Sequence, residues 1–498
     1  MDRSTHGMRR LRGCSLAALL LAGAFGNSGG AANAQPSKGE TPPNIVLLFA
    51  DDLGYADLGV YGSATIRTPT LDRLAMEGQK WTNFYAAASV CSPSRAALMT
   101  GRLPIRTGVG PDHPLRRVFF PNSSGGLPQN EQTIAEVLKQ RGYATVAIGK
   151  WHLGHLPEFL PTSQGFDSYF GIPYSNDMDA PGGIEVPWSV ELFHEEADIA
   201  YWDVPLMEGE RVLERPANQW TLTQRYTERA VEFIERSRSR PFFLYLAYSH
   251  PHTPVFASKE FWGKSPRGHY GDTVEEIDWS VRRIVETLTE LKLDRNTLVV
   301  FTSDNGPWLT MRQLGGSAGM LRDGKGTTWE GGMRVPAIFW WPGRIQPQVV
   351  TGVGSTLDLT PTFASLARAD LAKDRVYDSV DQSPTLLQGA PSARDVVFFY
   401  RLQDVYAVRM GPYKAHFVTE SSFGEGTQRT EHDPPLLFNV DEDPSESFDI
   451  SARHPDVLEK IRALVREHRA TIQPVENQLN RYPPGEKRGE EGLRPWGK

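Results

Sequence analysis

The sequence predicts an α/β protein, with a large mixed and mostly parallel sheet flanked by helices and a small antiparallel sheet with a packed helix behind it. Three observations carry this. Short apolar runs end abruptly in polar clusters, amphipathic stretches with helical spacing lie between them, and near Phe398 the pattern changes to short strands separated by turns.

In chain order, the runs NIVLLFADD, ATVAIGKWH, PFFLYLAYSHPH and NTLVVFTSDNG are rich in β-branched and aromatic residues, so they read as buried strands. Thr133 to Arg141, Leu222 to Arg236 and Thr273 to Leu291 place apolar residues at helical spacing. The later strands are VYAVRM, YKAHFVT and PLLFNV, followed by a helix over Pro455 to Gln473. The tail from Asn480, rich in Pro, Gly and charge, is expected to fray. The boundaries fall at residues 1–34 for a leader, 35–397 for a large domain and 398–498 for a C-terminal subdomain.

The leader has the three parts of a signal peptide: basic Arg9, Arg10 and Arg12, the apolar run Cys14 to Phe25, and small residues ending at Ala34. Arg9 and Arg10 admit a twin-arginine signal, but an ordinary basic n-region is the simpler reading. No later segment is apolar for long enough to span a bilayer, so the expected product is exported, periplasmic or secreted, with no membrane span. Cleavage leaves Cys91 as the one cysteine of the mature chain, unable to form an internal disulfide and so either a buried bystander or a chemically used residue. The net charge of −7 and the lack of long basic runs give no support to nucleic acid as a partner.

The polar residues at the strand ends form a pattern. Asp51 and Asp52, Lys150 and His152, His250 and His252, and Asp304 and Asn305 each come directly after a predicted strand, and in an open α/β sheet the carboxyl ends of strands line the ligand crevice. A polar pair after one strand is an ordinary solvated turn; four such groups fit that reading poorly. Asp51, Asp52, Asp304 and Asn305 supply hard oxygen ligands suited to Ca²⁺ or Mg²⁺, and adjacent carboxylates repel unless a cation lies between them. Cys91 precedes the helix-forming run Ser94 to Thr100, with Pro93 where a first turn tolerates proline. It is therefore expected to cap a helix, with Arg95 on the same side and an acidic, nucleophilic thiol.

The string CSPSRAALMTGR resembles the Cys-x-Pro-x-Arg signature of the sulfatase family. It is joined in order by NIVLLFADDLGYADLG, GKWHLG, FGIPYSNDM, FTSDNGPW, GMLRDGKGTTWEGGMRVPAIFWWPG, YAVRMGPYKAHF and LFNVDEDPSE, and the likeness is strongest to the branch containing arylsulfatase A and N-acetylgalactosamine-6-sulfatase. The resemblance implies an alkaline-phosphatase-like sandwich and hydrolysis of sulfate monoesters, aryl or carbohydrate, to free inorganic sulfate. It further implies that a formylglycine-generating enzyme oxidises Cys91 to formylglycine (3-oxoalanine), and that Asp51, Asp52, Asp304 and Asn305 hold Ca²⁺ beside it, with Cys91 completing the metal set. Arg95 then steadies the nucleophile, Lys150 and Lys325 bind the sulfate, His152 bonds the nucleophile, and His252 faces the leaving group, with His250 as its competitor. Ser175 aligns with a sulfate-binding serine, but the histidine usual beside it is here Asn176, which puts nearby substrate contacts in doubt.

Two rival functions remain open at the level of sequence: a phosphonate or phosphodiester hydrolase with the same nucleophile and metal set, and a non-catalytic calcium-dependent binder of sulfated glycans. Specificity is expected in the loop from Asn176 to Arg215 and in the C-terminal subdomain. Trp188, Phe193, Trp202 and Trp220 are candidates for stacking on a sugar, although core packing is the commoner role for each.

Overall fold

A computed structural model describes residues 42–112, 116–179, 198–422 and 428–483. The leader 1–34, Trp188, Phe193 and the end of the tail lie outside the described residues. The strands are β1 (Asn44–Ala50), β2 (Gln79–Tyr85), β3 (Ala144–Gly149), β4 (Ser168–Gly171), β5 (Leu206–Glu208), β6 (Arg211–Glu214), β7 (Phe242–Ala247), β8 (Thr297–Ser303), β9 (Arg334–Trp340) and β10 (Gln348–Ser355). They form one sheet in the order β10-β2-β9-β8-β1-β7-β3-β4-β5-β6. The run β8-β1-β7-β3-β4 is parallel throughout, and antiparallel pairs lie towards both ends.

The continuous apolar character of β1 has a direct cause. Ile45, Leu47 and Phe49 enter the core on one face of the sheet and Val46, Leu48 and Ala50 the core on the other, with no residue of the strand exposed. The helix Leu222–Ser237 buries Leu222, Tyr226, Ala230, Phe233 and Ile234 along one side, the stripe its spacing predicts. Thr133 caps the helix Ile134–Lys139 through a reciprocal pair of bonds with Glu136. The next long helix, His269–Glu290, starts four residues before its apolar pattern does. Asp272 in its first turn, where an acid suits the helix dipole, accepts the backbone N–H groups of Gly263, Lys264 and Ser265, and Tyr270 beside it is buried in the core.

The small sheet is β11 (Val396–Arg401), β12 (Asp404–Met410), β13 (Tyr413–Thr419) and β14 (Thr430–Asn439), antiparallel in sequence order. Strand β14 begins five residues before the expected PLLFNV and runs through Pro434 and Pro435. Proline is tolerated there because β14 is an edge strand, and it hid the strand from a propensity reading. The helix Pro455–Ala470 packs Val457, Leu458, Ile461 and Val465 against this sheet, in a core that also takes in Ala87, Ala97 and Leu103. The start of the expected frayed tail is instead held: Asn480 Nδ2 donates to Asp112 at 2.6 Å, and Arg116 lies over the Tyr482 ring at 3.7 Å.

A buried ionic cluster ties the two sheets together. Lys414 Nζ of β13 lies 2.9 Å from Glu330 Oε1 and 3.1 Å from Glu446 Oε1, and Arg334 and Tyr85 also reach Glu330. Although burial works against it, Lys414 and Arg334 hold Glu330 down at about 2, so it stays ionised. Breaking such a pair from one side costs about 3–5 kcal/mol. Among the described residues no helix is long and apolar enough to cross a membrane.

Candidate active site

The parallel strands end level: Ala50 pairs with Ser303, Phe49 with Ala247, and Gly149 with Ala247. The residues next in the chain therefore meet at one edge of the sheet. Gly149 is required at its position, because a Cβ would lie 1.8 Å from the Ala247 carbonyl oxygen and φ is +99°. Asp52 and His152 adopt positive φ (62° and 60°) without being glycine, backbone strain of the kind that collects at functional sites.

Cys91 enters from the helix Cys91–Thr100. It is the first helical residue; Val90 holds the capping position and makes no side-chain cap, which corrects the expectation that Cys91 caps. Its sulfur lies 3.5 Å from Asp51 Oδ1 and 3.6 Å from Lys150 Nζ. Lys150 Nζ also lies 2.5 Å from Asp51 Oδ2 and donates to Ser175 Oγ at 3.0 Å. Arg95 grips Asp304 Oδ2 through Nε and Nη2 (3.2 and 2.9 Å) and donates to the Lys150 carbonyl. Lys325 Nζ meets Asp52 Oδ2 at 2.7 Å, and Asn305 Nδ2 meets Asp52 Oδ1 at the same distance.

These groups are buried, and burial is the largest influence on each carboxylate. Asp51 is nevertheless held well below the ordinary range by Lys150, His252 and Arg95. Asp304 is pushed up to about 7 by burial and by the charge of Asp51. The thiol does not become acidic as expected. Burial raises it well above its usual value, and Asp51 and Asp304 oppose the help of Lys150 and Lys325. Carboxylate oxygens of Asp51 and Asp304 lie within 4.8 Å of each other and of the Cys91 sulfur, as do Asp52 and His252 around the same sulfur.

The two site histidines have complementary orientations. His152 Nε2 lies 2.9 Å from the Phe119 carbonyl and must donate to it, leaving Nδ1 buried with no partner. His252 Nδ1 lies 2.5 Å from the Thr253 carbonyl, so Nε2 turns towards Asp52 Oδ2 at 3.6 Å. His250, the competitor, is fully buried with both ring nitrogens unpartnered and is pushed down to about 4 by burial. Of these two, His252 alone makes an ion-pair contact with the site carboxylates.

Residues 43–369 match the sulfatase family model, and residues 392–490 match the C-terminal region of aryl-sulfatase. The chain is 43% identical over 446 residues to arylsulfatase A of Homo sapiens, covering 85% of this chain and 87% of that one. It is also 43% identical over 474 residues to N-acetylgalactosamine-6-sulfatase of Sus scrofa, covering 88% of each. The chain belongs to the sulfatase family. This sulfatase is thus a sulfuric ester hydrolase of the arylsulfatase type. In structure it is similar to the PsFucS1 sulfatase from Pseudoalteromonas sp., with a TM-score of 0.76, 29% identity, and coverage of 88% of this chain and 91% of that one.

Two residues of the sulfatase, Asn176 and Trp308, take places at the site that the sequence did not reveal, and Asp177 lies beside them in the chain. Asn176 is buried, and its Nδ2 donates to Gln219 Oε1 (3.1 Å) and the Pro254 carbonyl (3.0 Å), so it braces the loop that carries His252. The Trp308 ring lies tilted beside the His252 ring (5.3 Å between centroids) and under Lys325 Nζ (4.6 Å). Asp177, next to Asn176 in the sequence, is raised by burial while Lys150 and Ser175 pull it down. Its position in the string YSND was the one available signal. Trp202 is fully buried in the core, and Trp220 packs on Phe256 and Trp262.

Proposed function

We propose that this sulfatase cleaves aryl or carbohydrate sulfate monoesters by attack from formylglycine made at Cys91, in a site whose Asp51, Asp52, Asp304 and Asn305 hold Ca²⁺, with release of inorganic sulfate. The observation that carries the reading is the convergence of Lys150, Lys325, Arg95, His152, His252 and Ser175 on one buried edge around Cys91.

The metal fits the residues present. All four donors are oxygen, three carboxylates crowd together, and Asn305 Oδ1 is buried without a partner, a state that a hard cation would relieve. Bound there, Ca²⁺ supplies charge stabilisation to the sulfate oxygens, and hydrated formylglycine supplies an attacking hydroxyl and a second hydroxyl for release.

The remaining chemistry belongs to the chain. Cleavage spreads charge over the sulfate oxygens, so positioning and cationic stabilisation dominate. Lys150, Lys325 and Ser175 bind and orient those oxygens, and Arg95 fixes Asp304 and the Lys150 backbone. His252 Nε2 is placed to hold the proton passed to the leaving alcohol or phenol, because its Nδ1 is committed to Thr253. His152 Nδ1 has the free acceptor needed to take a proton during sulfate release.

Maturation and export belong to the same proposal: a formylglycine-generating enzyme acts on CSPSR, and the leader directs the chain to the periplasm or outside the cell. The division into a catalytic domain (35–397) and a C-terminal subdomain (398–498) goes with it. Turnover of matched sulfate and phosphate esters, with Ca²⁺ and after chelation, tests the reading. Preference for the phosphate ester would turn it into a phosphonate or phosphodiester hydrolase, and full sulfate turnover without metal would remove the calcium.

A further inference from the structure

Lys325 sits in a stretch of backbone with little stiffness of its own. The string DGKGTT puts Gly324 before it and Gly326 after it, and Gly326 takes a φ of +86°. The place of its ammonium at Asp52 Oδ2 (2.7 Å) therefore depends on what grips the loop from outside. The segments that follow β8 and β2 supply two backbone bonds, from the Lys325 N–H to the Pro307 carbonyl and from the Gly326 N–H to the Ser89 carbonyl, both at 2.8 Å.

The other contacts come from the small sheet. Ser422, just after β13, donates Oγ to the Lys325 carbonyl. Glu446, in the turns after β14, reaches both ends of the loop: its Oε2 accepts the Glu330 N–H at 2.7 Å, and its carbonyl accepts Arg322 Nη1 at 2.9 Å. The Gly331 N–H closes the loop on the Arg322 carbonyl at 2.8 Å. Trp329 packs against His416 of β13, with 4.2 Å between ring centroids, and Arg322 lies over the Trp329 ring at 3.7 Å.

Glu446 is held so that it must face this loop. It is fully buried, and its Oε1 is taken by His416 Nε2 at 2.6 Å and Lys414 Nζ at 3.1 Å, which leaves Oε2 for the Glu330 N–H. Its φ of +51° is costly for a residue other than glycine, and from that conformation both its carbonyl and its carboxylate bond the loop. Precision matters here because a misplacement of about 1 Å in a group that meets the reacting centre can cost on the order of 10²-fold in rate.

Resting on the reading of Lys325 as a sulfate-binding group, we infer that Glu446 and Ser422 are positioning residues: the small sheet clasps the loop 322–331 and so sets where the Lys325 ammonium meets the sulfate. Both act on the reaction through Lys325. If these contacts merely joined the two sheets, removing them would cost stability and nothing that depends on Lys325.

The test is a double-mutant cycle on the full-length enzyme, read as kcat/KM for 4-nitrophenyl sulfate. Ser422→Ala should lower it about 3- to 10-fold, and Glu446→Asp, too short to reach the Glu330 N–H, about 10- to 100-fold, the ranges for losing a neutral and a charge-assisted hydrogen bond. Glu446→Gln keeps an oxygen for that N–H and should stay within about threefold of the parent. Lys325→Ala alone should cost on the order of 10² to 10³, and in that background the Ser422 and Glu446 losses should shrink to less than about twofold. Val465→Ala loosens the helix behind the small sheet and touches none of these groups, so it should lower the melting temperature and leave kcat/KM unaltered. Losses that persist undiminished beside Lys325→Ala, or a Glu446→Asp loss no larger than that of Val465→Ala, overturn the positioning role. Ser422→Ala carries the cycle by itself if Glu446→Asp does not fold. If Lys325→Ala costs nothing, the sulfate-binding reading of Lys325 fails separately. In that case, or if Lys325→Ala leaves too little turnover to measure, amide hydrogen exchange decides the clasp. Faster exchange confined to 322–331 in Ser422→Ala and Glu446→Asp supports it, and exchange there equal to the parent's overturns it.

Discussion

His252 Nδ1 lies 2.5 Å from the carbonyl oxygen of Thr253, which leaves Nε2 as the one ring atom directed at the site carboxylates. Burial, Lys325 and Lys150 all push this ring well below its usual value, and an anion that offset the two lysines would raise it. A general acid matters most for poor leaving groups. His252→Ala should therefore slow an alkyl or sugar sulfate by on the order of 10² to 10⁴ and a nitrophenyl sulfate much less, read from single turnovers. Equal losses on both esters would refute the acid role, and a leaving-group effect appearing at His250→Ala would move the role there.

Active protein should carry formylglycine at Cys91, because the unmodified thiol is raised by burial and is a poor nucleophile at neutral pH. Peptide mass spectrometry checks this. An intact cysteine in a preparation with full turnover would end the claim. Cys91→Ser should lose turnover and retain covalent sulfate, because serine attacks but lacks the second hydroxyl.

Asp304→Ala should lower bound calcium and activity together, since Asp304 also anchors Arg95 through two contacts at 2.9 and 3.2 Å. Metal analysis reads the first and turnover the second. In the parent protein, added Ca²⁺ should raise the melting temperature by mass action, and the variant should show a smaller rise. Undiminished calcium in the variant would remove Asp304 from the ligand set.

Glu276 gives a pH dependence remote from the site. Its Oε2 accepts the Ser258 N–H at 3.0 Å, and burial pushes its carboxyl from 4.5 up to about 7. The folded state thus holds the proton more tightly than the unfolded chain, so this group's contribution to stability is present below about 4.5 and is lost as pH rises towards 7. Glu276→Gln should flatten that decline and leave the variant more stable than the parent at pH 8 by roughly 2 kcal/mol. Denaturant melts at several pH values provide the check, and a parallel decline in both proteins would contradict it.

The buried strands were legible in the sequence, because residues such as Ile45 to Ala50 are apolar on both faces and can only lie inside a covered sheet. So was the gathering of polar groups at the strand ends, since a parallel sheet carries them all to one edge. How those groups are oriented was decided only by packing. Which nitrogen of His152 or His252 faces the centre depends on the carbonyls of Phe119 and Thr253, and the second of these is a neighbour while the first is 33 residues away. Whether the Cys91 thiol is acidic depends on how completely the surrounding chain excludes water, and a string of letters does not carry that. The same holds for Asn176 against Pro254. That pair is joined across 78 residues by loops at one edge of the large sheet, while local spacing records only what lies within a turn or two.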